Sequence, residues 1–170
     1  MASYDCGKAE VVSWIKNHFQ KGSTCLDVGA CDGKWANLLG DYLVMDAVEI
    51  YEQNIINNDL RGLYRQVVCG DIADCEYNWY DLIIFGDVIE HMPVEKAQRV
   101  LEYARYRCSN MIVAVPFMLD QDDLYGNPFE VHIQNDLTPI IFDHRYPGFK
   151  MISRPQANYA YYVKSEYGGG

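Results

Sequence analysis

What the chain lacks narrows its function before any motif is read. No apolar run approaches the roughly 18 residues of a membrane-spanning helix, so nothing is expected to cross a bilayer. The opening MASYDCGKAE has no apolar core behind a basic flank, and a cytoplasmic location is the expectation. No CxxC pair occurs among Cys6, Cys25, Cys31, Cys69, Cys75 and Cys108, which therefore read as ordinary buried thiols and not as a disulfide frame or a zinc site. Positive charge is scarce: 14 Lys and Arg stand against 24 Asp and Glu, for a net charge of −10. Nucleic acid would be repelled on average, so small molecules or proteins are the expected partners. Internal repeats and low-complexity segments are missing as well.

What is present reads as one domain over residues 1–170, with a hydrophobic fraction of 49%. In GKAEVVSWIKNHFQ, Val11, Trp14, Ile15, His18 and Phe19 recur at helical spacing, and Gly22 follows as a stop. A short apolar run over 24–29 then ends in glycine. GKWANLLGDYL predicts a helix with Trp35, Leu38, Leu39 and Tyr42 on one side. Strand-like runs recur at 43–50, 65–71, 80–87 and 110–116, separated by helical patterns over 51–60 and 94–108. Alternation of this kind implies βαβ crossovers and a buried parallel sheet.

Residues 117–148 read as a long irregular connection with one short helix near 136–143, aromatic enough to be an ordered, pocket-covering loop. The end predicts an antiparallel hairpin at a sheet edge around a turn at 154–158, and the terminal triple glycine should fray.

The stretch LDVGACDGKW falls at the first strand-to-helix turn, where doubly wound sheets bind ligands. A dinucleotide fingerprint starting at Gly29 would need glycine at 31 and 34, where the chain has Cys31 and Lys34. Asp27 and Asp32 would also repel a pyrophosphate. A cationic ligand such as an ammonium or a sulfonium would instead find acceptors, with Gly29 and Gly33 admitting it to the backbone. S-adenosylmethionine carries both groups. Glu49, 20 residues after Gly29, ends the second strand, where an acid can take both ribose hydroxyls. Asp71 ends the third strand and can accept from an adenine amino group with Ile72 on the ring face, and Asp87 ends the fourth.

LDVGACDGKW, AVEI, VVCGDIAD and YDLIIFGDVIEHMP, in this order, resemble the successive motifs of class I S-adenosylmethionine-dependent methyltransferases over about residues 8–116. The family's loop is usually acidic-x-Gly-x-Gly-x-Gly, and Cys31 stands in place of the middle glycine. DVIEHMP looks most like the fourth motif of small-molecule methyltransferases of the ubiquinone-biosynthesis type. The resemblance implies a Rossmann-like α/β three-layer sandwich, with a mostly parallel seven-stranded sheet and an antiparallel C-terminal hairpin. Residues 117–148 would be a substrate-side insertion. It implies S-adenosylmethionine as cofactor, with Asp27, Gly29, Ala30 and Gly33 at its methionine part, Glu49 and Ile50 at the ribose, and Asp71 and Ile72 at the adenine. Gly86, Asp87 and His91 would line the reaction side.

A base is required only if the acceptor carries a proton; His91, Glu90, His132 and Tyr125 are the candidates. In an extended segment Glu130 and His132 would share a face. His18 and His144 read as structural or exposed. The four histidines with Asp120, Asp122, Asp123 and Glu130 show no fixed ligand spacing, and no metal is expected. Methyl transfer to a small molecule, possibly at oxygen, is the expected activity. A non-catalytic nucleotide-binding homologue that regulates a partner is the alternative, and an NAD-dependent oxidoreductase is disfavoured by the two missing glycines.

Overall fold

The structure is a computed structural model that describes residues 6–124 and 126–165. Tyr125 and the terminal triple glycine lie outside them. The alternating runs form seven strands, β1 Thr24–Val28, β2 Val44–Glu49, β3 Val67–Cys69, β4 Tyr80–Gly86, β5 Cys108–Pro116, β6 Lys150–Gln156 and β7 Tyr159–Ser165, in one sheet of order β3-β2-β1-β4-β5-β7-β6. Neighbours from β3 to β5 pair in parallel, whereas β7 is antiparallel to both β5 and β6. The sheet is therefore mixed, six strands running one way and β7 the other.

Strand periodicity explains the three layers, because successive side chains point to opposite faces. Leu82 and Ile84 of β4 and Ile112 of β5 pack with Val11 and Ile15 of α1 (Lys8–His18) and with Trp35 and Leu39 of α2 (Lys34–Leu39). The same face takes Ile55 of α3 (Glu52–Asn57) and Leu60 of α4 (Leu60–Leu63). Ile83, Phe85, Met111 and Val113 point the other way, onto Ala97 and Leu101 of α5 (Val94–Arg105) and Phe142 of α6 (Pro139–Arg145). Phe142 also stacks on Tyr162 of β7 with ring centroids 3.9 Å apart, and burying such a side chain contributes roughly 1.5–3 kcal/mol. No helix among the described residues is long and apolar enough to cross a membrane.

Local expectations differ in places. The helix expected over 33–43 stops at Leu39, and Leu38 is exposed at 44% while Ala36 takes its place in the core. The helix expected over 51–60 breaks into α3 and α4 because Asp59 adopts a left-handed backbone (φ 47°). The helix expected to reach 108 ends at Arg105, and Cys108 already opens β5. The third strand shrinks to three residues, and the hairpin turn tightens to 157–158. α6 starts only at Pro139, where the Thr138 side chain accepts from the Ile141 N–H at 3.1 Å. The thiols are free, but only Cys25 and Cys108 are buried. Cys69 is exposed because β3 is the edge strand.

Candidate active site

The chain turns back from β3 to β4 across β1, so β1 and β4 are neighbours at the point where strand order reverses. Parallel register then brings four strand ends to one edge, with Val28 beside Val48 and Phe85, and Glu49 beside Cys69. A cavity of about 330 Å³ opens there, of the size that takes small molecules. Gly29, Ala30, Glu49, Ile50, Asp71, Ile72, Gly86 and Asp87 line it. Asp27 and Gly33 are not on the wall: Asp27 lies buried behind it, and Gly33 packs beneath the loop near Leu63 and Leu60.

The glycine loop after β1 and the end of β4 each leave no room for a side chain at one point. A Cβ on Gly29, whose φ is +73°, would stand 2.6 Å from the Val88 side chain, and one on Gly86 would stand 2.8 Å from the Trp35 indole nitrogen. Cys31 also takes a left-handed backbone, φ 47°, an uncommon conformation for a residue with a side chain. Bonds on both sides hold it there, its N–H donating to Glu49 Oε2 at 2.8 Å and its carbonyl accepting from Asn58 Nδ2 at 3.0 Å. The backbone turn that glycine usually makes thus survives the cysteine.

The acids around the cavity are short of partners. Asp27 Oδ2 accepts from the Tyr64 hydroxyl at 2.5 Å, but Oδ1 is buried without a hydrogen bond, and burial pushes the carboxyl up to about 7. Asp87 sits at φ 57°, a backbone that Asp tolerates better than most residues. Its Oδ2 accepts from Tyr159 at 2.8 Å, its Oδ1 has no partner, and burial lifts it to about 6. Lys8, buried on α1 with its ammonium 4.9 Å from the Trp35 ring centroid, eases both charges. Glu49 accepts from the Cys31 and Tyr51 N–H groups at 2.8 Å each, yet burial still raises it. At Asp71 burial is outweighed by the Lys96 ammonium and the Ala73 N–H, and the carboxyl is held below its usual range.

The other side of the cavity is a 3₁₀ turn, Ile89–His91, closed over by the segment 127–134. Backbone N–H groups of Ile133 and Gln134 donate to the Glu90 carbonyl, and the Gln134 side chain donates to the Ile89 and Met92 carbonyls at 2.8 and 3.0 Å. His91 lines the cavity, with Nδ1 3.1 Å from the Val131 carbonyl. His132 Nδ1 lies 2.9 Å from the Leu119 carbonyl, and the two rings meet edge to face at 4.8 Å. Because an imidazole lone pair would be repelled by a carbonyl oxygen, each Nδ1 carries the hydrogen and each Nε2 keeps its lone pair. Burial lowers His91 to about 4 and also lowers His132. Glu90 is fully buried, with no hydrogen bond to either carboxylate oxygen, and burial raises it well above its ordinary range.

The expectation that Glu130 and His132 share a face fails, because Pro128–Glu130 is a 3₁₀ turn. Glu130 lines the cavity while His132 is buried off its wall. His18 and His144 are exposed as expected, and Asp120, Asp122 and Asp123 are exposed too. The sequence reading missed Lys8, Tyr64, Lys96, Gln134 and Tyr159, each brought to the site from a distant element without a local motif.

No protein-family model matches the chain, and no curated protein does. Solved structures match along nearly its whole length. An S-adenosylmethionine-dependent methyltransferase from Clostridium acetobutylicum is 10% identical with a TM-score of 0.72, covering 95% of this chain and 92% of its own. The PH0226 protein from Pyrococcus horikoshii is 15% identical with a TM-score of 0.73, covering 95% and 88%. Magnesium protoporphyrin IX methyltransferase from Synechocystis, crystallised with bound S-adenosylhomocysteine, is 15% identical with a TM-score of 0.65, covering 91% and 80%. The fold of the chain is that of class I S-adenosylmethionine-dependent methyltransferases.

Proposed function

We propose that the chain is an S-adenosylmethionine-dependent methyltransferase that acts on a small-molecule acceptor, at oxygen. The observation that carries the reading is a crevice at the strand ends lined by Asp87, whose buried Oδ1 lacks a hydrogen bond, with the unpartnered Oδ1 of Asp27 buried behind its wall. Such atoms are costly unless a donor or cation arrives, and the ammonium and sulfonium of this cofactor are of that kind. A pyrophosphate would meet the same acids as like charges. Gly29 and Ala30 would serve the methionine part, with Asp27 and Gly33 supporting that loop from behind the wall, Glu49 and Ile50 the ribose, Asp71 and Ile72 the adenine, and Gly86 and Asp87 the reacting end. We take the chain as one domain, with 117–148 as its substrate-side segment.

The bound cofactor supplies a methyl group whose sulfur leaves as a neutral thioether, by in-line displacement. The residues of the chain need only hold the acceptor in line and receive its proton. His91 is the group best placed for the proton: it faces the cavity, is neutral at neutral pH, and offers an Nε2 lone pair. His132 and Glu90 stand behind it, and burial disfavours the ionised form of Glu90.

The test is transfer of labelled methyl from S-adenosylmethionine to a panel of phenols and hydroxy acids. The expected result is labelled acceptor with wild type and a loss of about a hundredfold in His91→Ala, with S-adenosylhomocysteine affinity retained. Cofactor binding with transfer to no acceptor would favour the regulatory homologue instead.

A further inference from the structure

We propose that Glu90, His91 and His132 together bind one divalent first-row transition ion of the zinc and manganese kind, at the acceptor side of the cavity. No sequence spacing announces the site, since 132 − 91 = 41 residues separate the two histidines. The fold closes that gap by hanging the segment 131–134 on the 89–92 turn through Gln134 and the Glu90 carbonyl. One ligating atom from each of the three side chains then falls within 4.8 Å of the others. Ligand atoms around one tetrahedral ion stand about 3.4 Å apart, roughly 1.6 times the metal–ligand distance, so the widest pair needs to close by about 1.4 Å, which side-chain rotation can supply.

Two further observations point to a ligand. Both carboxylate oxygens of Glu90, a residue with 0% exposure, lack a hydrogen-bond partner, an arrangement that a cation would satisfy. Both imidazoles donate from Nδ1 to a backbone carbonyl, the second-shell contact that orients a histidine ligand and frees its Nε2. Two imidazoles and one carboxylate suit zinc, iron or manganese better than magnesium or calcium, which prefer all-oxygen shells. Because only His91 of the three lines the cavity, a fourth coordination position would open towards the acceptor; with the ion bound, the His91 Nε2 lone pair would be a ligand and no longer a base, and the acceptor would be activated at that position instead.

The experiment loads the purified full chain with Zn²⁺ or Mn²⁺, with Mg²⁺ as control, and measures bound metal after dialysis beside calorimetric affinity. Wild type should hold one equivalent of Zn²⁺. Glu90→Gln and His132→Asn should each weaken binding by about a hundredfold or more, beyond the 10–100-fold typical of second-shell changes. His18→Asn, at an exposed histidine, should change nothing. A folded wild type that retains no Zn²⁺, or equal retention by wild type and His132→Asn, would overturn the proposal. Titration of each sample with S-adenosylhomocysteine separates this outcome from failure of the cofactor reading, because the three ligands lie apart from the residues assigned to the cofactor.

Discussion

Two acids on one strand, Asp46 and Glu49 of β2, show two uses of a buried carboxylate. Asp46 is 3% exposed and saturated: Arg65 reaches it with Nε at 2.9 Å and Nη2 at 2.5 Å, and Tyr80 donates at 2.8 Å. Burial would raise it, but these donors hold it below its usual range. Glu49 is equally buried but is held by neutral donors, the Cys31 and Tyr51 N–H groups and the Asn54 side chain, and burial keeps it raised. Asp27, Asp87 and Glu90 follow Glu49, while Asp136 with Arg145 follows Asp46. Acids of the first kind hold the fold, and those of the second store desolvation that a ligand at the carboxyl edge of the sheet can relieve.

The comparison breaks most sharply at Glu49. Removing an acceptor of two ribose hydroxyls should cost about 2–3 kcal/mol, or roughly a hundredfold in S-adenosylhomocysteine affinity, so Glu49→Ala should bind weakly in calorimetry while its circular dichroism stays native. Asp46→Ala should do the reverse. It strands the Tyr80 hydroxyl and one face of Arg65, and because Arg65 is about half exposed the loss is held to about 2 kcal/mol of stability. Urea unfolding should show that loss with ligand affinity unchanged.

Asp27→Asn probes the stored cost itself. A carboxyl raised to about 7 favours folding fully only below the unfolded value near pH 4, and that contribution is lost as pH rises towards 7. The asparagine has no such loss, so its stability relative to wild type, read from thermal melts, should climb between about pH 4 and pH 7, ending about 1–2 kcal/mol ahead, while cofactor affinity falls. A flat difference across that window would contradict the assignment. Asp71→Ala should weaken S-adenosylhomocysteine only about tenfold, the worth of one hydrogen bond to a carboxylate whose charge Lys96 already offsets, as read by the same calorimetry. Asp136→Ala breaks a pair whose acid is about half exposed and should change stability by less than about 1 kcal/mol in thermal melts.

The layered fold was legible because the parallel strands are short, mostly apolar runs separated by helical patterns, with β1, β3 and β4 closed by glycine or aspartate and β2 by Glu49. The four strand-end motifs placed Gly29, Glu49, Asp71 and Asp87 at one edge for the same reason. Helix ends were less legible: Asp59 breaks a helix through a backbone angle that its neighbours do not signal, and Leu38 lies outward on a helix of only six residues. Side chains that complete the site from afar were not legible at all. Tyr159 reaches Asp87 across 72 positions, and His132 meets His91 only because Gln134 pins a loop to the turn at 89–92.

The most direct measurement is a calorimetric titration of S-adenosylhomocysteine into wild type, Glu49→Ala and Asp46→Ala, each shown to be folded. The account predicts micromolar binding by wild type and Asp46→Ala and a loss of about a hundredfold in Glu49→Ala. No binding to folded wild type, or equal losses in the two variants, would contradict it.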